Sequence, residues 1–210
     1  MNVTARDNYH HGELRSALIA ASDEIIRESG VEGFSLREAA RRAGVSPGAP
    51  KHHFGSMVGL LTEVAIAAYA ELARYMSDAL VEDQTAAQRL QSVGSAYVKY
   101  ALDNPGHFRL ICRKDLVNRH HPDFEPAVYT AMTAFVLAAA EYYGSPFRPD
   151  LEQAAHPGIV SAVSTIHGIA HMAIEDKFSF VLKSENPEAE LLGTLLPSML
   201  SFHWPVTNPR

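Results

Sequence analysis

A single cysteine, Cys112, stands in a chain of 210 residues. That excludes an internal disulfide and the Cys-rich ligand set of a structural zinc site, so Cys112 reads as a small buried hydrophobe. No run of about 18 uninterrupted apolar residues occurs, and Met1 to Glu13 is polar and His-rich. No bilayer span and no secretory leader is therefore expected, which points to a cytoplasmic protein without a membrane partner. Alternating period-two stretches bounded by turns are missing too, so no strand is expected. Only Phe178 to Lys183 is short and apolar enough to leave helix and strand both open. The nucleophile elbow, the phosphate loop and the zinc-protease helix motif are also absent. The eleven histidines thus lack a recognisable catalytic frame, and neither enzymatic activity nor a cofactor is expected.

What is present is the balance of a globular protein, 47% hydrophobic and 20% charged. The net charge of −6 is unevenly spread: residues 1–60 hold seven Lys or Arg against seven Asp or Glu, and the rest hold eleven against seventeen. Within the neutral part, Arg37, Arg41, Arg42, Lys51, His52 and His53 share one short window with Glu38 as the counter-charge. A local basic face is the result.

Apolar periodicity organises the chain into helices. Leu14, Leu18, Ala21 and Ile25 predict a first helix over about 12–29, stopped at Gly30. Ser35 and Glu38 have capping-box spacing for a second, which Gly44 ends. Ser46-Pro47 predicts a new start with proline at the first helical position, and Pro50 sits awkwardly beyond it. Ser56 caps a fourth helix with the stripe Leu60, Val64, Ala68, Leu72 and Met76. A fifth, carrying Leu90, Val93, Tyr97, Val98 and Ala101, ends before Asn104-Pro105-Gly106, and a short sixth follows. Three more are expected over about 122–143, 156–178 and 188–203, the first of them stopped by Gly144-Ser145-Pro146.

Ser35 to Phe54, SLREAARRAGVSPGAPKHHF, forms a helix-turn-helix pattern. Ala39, Ala40 and Ala43 let two helices cross closely, Gly44 permits the positive φ of a sharp turn, and Val45 plugs the joint. In such a motif the second helix enters the DNA major groove by its N-terminal residues. The stretch from Tyr9 to Leu61, including Tyr9-His10-His11-Gly12, SLREAARRAGVS and Gly48-Ala49-Pro50 before His53-Phe54, resembles the DNA-binding domain of the tetracycline-repressor family. The resemblance implies an all-α protein: a three-helix DNA-binding domain over 1–58 and a helical bundle over 59–210 for ligand binding and dimerisation. It implies DNA contacts from Arg37, Arg42, Ser46, Pro47, Gly48, Ala49, Lys51 and His52, with Phe54 in the core. Two positions depart from the family: Lys51 stands where Tyr is usual, and Met57 where Lys is usual.

In the second half, His167-Gly168 resembles the end of a Trp-x-x-x-His-Gly signature of one family subgroup, with Val163 in the Trp position. His167 and His171 lie one helical turn apart, a spacing shared by pocket histidines and zinc ligands, and no third ligand is placed. No metal is expected. By fold analogy, Tyr97, Tyr100, Phe108, Tyr129, Met132, His167 and His171 are the candidates to line an effector pocket. Gly158, Ala162, Thr165, Ile169 and Met172, with Leu192, Leu196 and Leu200, are the candidates for a homodimer interface through the last two helices. The expected activity is a regulator released from a palindromic operator in double-stranded DNA by a small-molecule effector. Two rivals are an enzyme and, motivated by Met57 and the acidic total, an interaction module that no longer binds DNA.

Overall fold

The computed structural model describes residues 4–145 and 156–206, with side chains from Gly12 onward. The turn residue Pro146 and the side chains of Tyr9, His10 and His11 lie outside that description. Among the described residues every regular element is helical. Phe178 to Val181 forms a turn in which Val181 N and Leu182 N both donate to Phe178 O at 2.9 Å. The chain forms two compact units, one of residues 1–69 and 104–128, the other of residues 70–103 and 129–210.

In the first unit, α1 (Thr4–Ser29) buries Leu18, Ala21, Ile25 and Ile26. It stops where Gly30 turns to φ 67°, its amide donating to Ile26 O. α2 (Leu36–Arg42) starts on Ser35, whose hydroxyl accepts from Glu38 N at 3.2 Å. Only this half of the expected capping box forms, because the Glu38 carboxylate turns to Arg41 and Arg42. Ala39 and Ala40 are fully buried and Gly44 has φ 68°, as the helix crossing and its sharp turn require.

α3 (Ala49–Phe54) begins later than its sequence suggests. Ser46 and Pro47 lie in the preceding loop, where Ser46 O accepts from Ala49 N, and Gly48 is the residue before the helix. Pro50 therefore falls in the first turn, where its missing amide costs no intrahelical bond, and it is buried. α4 (Met57–Asp78) follows at once, with Ser56 Oγ accepting from Gly59 N at 3.1 Å. A Cβ on Gly59 would lie 2.0 Å from Phe54 O, so only glycine lets α3 end so close to α4. α6 (Pro105–Cys112) packs on α1, where a Cβ on Gly106 would meet Ile26 O at 2.2 Å.

The second unit holds the rest of α4, α5 (Ala86–Asp103), most of α7 (Phe124–Tyr142) and α8 (Pro157–Ile174). α8 is shorter than expected; turns follow it, with Asp176 at φ 51°. The α5–α8 pair is its most extensive helix contact, and Gly94 faces Ile166 and Trp204 there. The last stretch is not one regular helix. α9 (Pro187–Glu190) passes into a π-helical turn, Leu191–Leu195, and then into α10 (Leu196–His203). Pro197 has no amide and its ring crowds the carbonyl four residues back, and the widened turn lies directly before it.

Candidate functional sites

The reading head presents a short helix on an open surface. Ser46, Pro47, Gly48, Lys51 and His52 are exposed, Ala49 is half-buried, and nothing lies within 4 Å of where a Gly48 Cβ would be. Arg37 is exposed on α2. Arg42 is held differently: its side chain is 23% exposed, and its guanidinium donates to Glu28 at 2.8 Å and to Glu38 at 2.9 Å. Arg41 forks onto Glu38 with bonds of 2.8 and 2.7 Å. The two guanidinium groups, Arg41 first, push the Glu38 carboxyl down to about 2. The basic face read from the sequence is thus partly neutralised from within, and Arg37, Lys51 and His52 are exposed members of it. Met57, at the start of α4, is 37% exposed.

Behind α3 lies an arrangement that residue spacing did not reveal. Phe54, expected in the core, is half-buried, and the Arg15 guanidinium covers its ring at 5.4 Å. Arg15 also pairs with Glu63 on α4. Sequence signals for this contact are weak, since Arg15 and Glu63 lie 48 positions apart.

In the second unit, α5 and α8 bring Tyr97, His167 and His171 together. The Tyr97 phenol meets His167 Nδ1 at 2.8 Å, and the two imidazoles lie edge to face at 4.6 Å. Burial, and then His171, push the His167 pKa below the usual histidine range, so His167 is neutral near pH 7. With the phenol as donor, His167 keeps its proton on Nε2. Tyr100 is fully buried against the Tyr75 ring at 5.3 Å. Met132 is half-buried, whereas Tyr129 is 57% exposed, and Phe108, fully buried, belongs to the first unit. An open groove of about 720 Å³ in the second unit was not foreseen; Tyr75, Lys99, Asp103, Leu192 and Leu196 are among its walls. Its Lys99 and Tyr75 already donate to Asp103 at 2.8 Å. Cys112, expected to be buried, is half-buried, and desolvation pushes its thiol up to about 11.

Of the residues expected to meet a second copy, Met172 is exposed and Thr165 and Leu192 are half-buried, while the others need correction. Ala162, Ile169, Leu196 and Leu200 are buried within their own chain, at 5% exposure or less, and Gly158 packs against the Tyr143 ring. Sequence periodicity identified the apolar side of each helix, and that side is taken up by the unit's own core. The open side of α8 carries Val160, Ser164, Gly168 and Met172, and the open side of α10 carries Ser198, Ser201 and Phe202, the last 83% exposed. α8 is also the one described helix long and apolar enough to cross a membrane by length and composition, with a mean hydropathy of 1.3.

Residues 90–195 match the family of tetracyclin repressor-like C-terminal domains, and residues 18–64 match the tetR family of bacterial regulatory proteins. The HTH-type transcriptional regulator YobS of Bacillus subtilis is 28% identical over 97 residues, 46% of this chain and 50% of YobS. The chain thus matches about half the length of that relative. Among solved structures, a protein from Rhodococcus sp. RHA1 aligns with a TM-score of 0.70 at 26% identity, over 93% of this chain and 96% of the other. A TetR variant from Acinetobacter baumannii, crystallised in complex with minocycline, aligns with a TM-score of 0.56 at 18% identity over 89% and 91%. At that identity the second likeness speaks for the fold.

Proposed function

Because this chain belongs to the tetracycline-repressor family of bacterial regulators, we propose that it is a ligand-responsive DNA-binding transcriptional regulator, released from a palindromic operator by a small molecule. The observation that carries the reading is the exposed α2–α3 head, with Arg37, Lys51 and His52 open to solvent around the glycine-bounded turn. Ser46, Pro47, Gly48 and Ala49 approach the groove, Lys51 supplies the phosphate contact that Tyr makes elsewhere in the family, and Arg42 braces the head through Glu28 and Glu38. Such a protein acts in the cytoplasm, where its DNA is.

The dimer forms through the open sides of α8 and α10. Val160, Gly168, Met172 and Phe202 support this, because two helices with small and apolar outer faces complete a four-helix interface when paired about a two-fold axis. Tyr97, His167 and His171 supply the polar contacts to the effector, and the neutral His167 imidazole suits an uncharged, hydrogen-bonding molecule. The Acinetobacter baumannii neighbour, itself in complex with minocycline, is in line with the small-molecule class.

A gel shift with genomic fragments at low salt tests DNA binding; retention of no fragment would refute it. Effector candidates are then screened for release of the retained fragment. Because coupling between sites is reciprocal, an effector that weakens DNA binding by a given factor must itself be bound more weakly by that factor when DNA is present. Equal affinity with and without DNA would sink the allosteric part and leave a DNA-binding dimer.

A further inference from the structure

α3 is six residues long and too short to hold its own direction. At its two ends His52 N donates to Gly48 O at 3.1 Å, and Gly55 N closes the helix on Lys51 O at 2.9 Å. The pose of the recognition helix therefore depends on what holds its ends. The leading end is an exposed loop. At the trailing end Phe54 is gripped twice, its carbonyl lying against Gly59 and its ring lying under the Arg15 guanidinium. The same guanidinium pairs with Glu63 Oε1, a carboxylate only 15% exposed.

We infer that Arg15 is a positioning residue for the recognition helix, and that Glu63 links this setting to the turn at Asn118–His121. His121 Nε2 reaches Glu63 Oε1, the oxygen that Arg15 uses, at 3.5 Å. The neighbouring residue fastens the same turn to α4: the fully buried Thr62 hydroxyl donates to Val58 O at 2.6 Å and accepts from Asn118 N at 2.8 Å. Two consecutive residues of α4 thus hold the connection between α6 and α7, and one of them shares its carboxylate with the side chain lying on Phe54. A shift of the 118–121 turn alters the partners of Glu63, and with them the grip of Arg15 on the end of α3. Arginine suits this place because its flat guanidinium can fork onto a carboxylate while stacking on a ring, which a lysine ammonium cannot do together.

The inference rests on the DNA-binding reading, and its test separates the two. The native protein first selects a duplex from a randomised library, and an unrelated duplex serves as reference. Arg15→Gln and the charge-keeping Arg15→Lys should each lower affinity for the selected duplex about tenfold, the scale of one misread base pair. Affinity for the unrelated duplex and the salt slope on it should stay unchanged. Phe54→Leu should cause a similar loss, and the double variant with Arg15→Gln should be no worse than either alone, since the residues act as one unit. His121→Ala should lower the same affinity by about threefold in the native background and by nothing in Arg15→Gln. Arg15→Lys keeps the stem and charge, and far-UV helicity with the urea midpoint checks that each variant folds. Equal loss on both duplexes with a slope shallower by about 0.9 would make Arg15 a phosphate contact instead. Additive losses, no loss, or loss only in step with the urea midpoint would also overturn the inference. Failure of the native protein to select any duplex would remove the DNA-reading role itself.

Discussion

Replacing Glu38 with Gln should strengthen the dependence of DNA binding on salt. Glu38 accepts three hydrogen bonds from Arg41 and Arg42, at 2.7 to 2.9 Å, and is the acid within the basic window of α2 and α3. Arg42 keeps Glu28 after the change, whereas Arg41, with a side chain 70% exposed, loses the carboxylate that holds it. One guanidinium is set free for a phosphate. Each phosphate neutralised contributes about 0.9 to the slope of log affinity against log salt. Between 50 and 200 mM salt, the variant should therefore lose roughly 3.5-fold more affinity than the native protein. Fluorescence anisotropy on a labelled duplex across that range reads the slope directly. Helix α2 should survive, because its cap bond joins the Ser35 hydroxyl to the Glu38 backbone amide. A slope equal to the native one, or shallower, would refute the claim that Glu38 screens the head. The same residue gives a pH signature. Its folded pKa is depressed to about 2 from 4.5, so the stability it contributes is complete above about 4.5 and is lost as the pH falls toward 2. Urea midpoints of the native protein and the variant should converge over that window.

Three further outcomes follow from particular contacts. Lys51→Ala should weaken binding to all duplexes alike and flatten the salt slope by about 0.9, and an unchanged slope would remove Lys51 from the interface. Gly106→Ala puts a methyl 2.2 Å from a backbone oxygen; urea unfolding should show a loss of about 1–3 kcal/mol as α6 lifts from α1, and a loss near zero would contradict that packing. Phe202→Arg should yield folded monomers in sedimentation, whereas Leu196→Arg, which buries a charge in the chain's own core, should fail to fold cooperatively; a dimeric Phe202 variant would move the interface elsewhere.

The helices were legible because their signals are local. Gly30 and Gly44 mark ends that need a positive φ, and the stripe from Leu60 to Met76 lies buried throughout. The start of α3 was misread because Ser46-Pro47 is a good cap in isolation, while the chain spends two more residues in the loop and uses Pro50 in the first turn instead. Four dimer candidates, Ala162, Ile169, Leu196 and Leu200, were misread for a related reason: periodicity finds the apolar face of a helix, and a bundle buries that face before any partner can. Tyr97 and His167 were both expected at the effector site, but their 2.8 Å contact joins positions 70 residues apart and no local pattern encodes it. Arg15, Glu63 and His121 were missed altogether, since contacts between side chains far apart in the chain carry no spacing rule.

The central claim is that this chain reads DNA as a two-fold dimer. Sequencing the duplexes that the native protein retains from a randomised library at low salt tests it most directly. The account predicts an enriched inverted repeat whose half-sites lie about 34–36 Å apart, or a multiple of that distance, on one face of the duplex. A retained pool with no enriched motif, or with single half-sites alone, would contradict it.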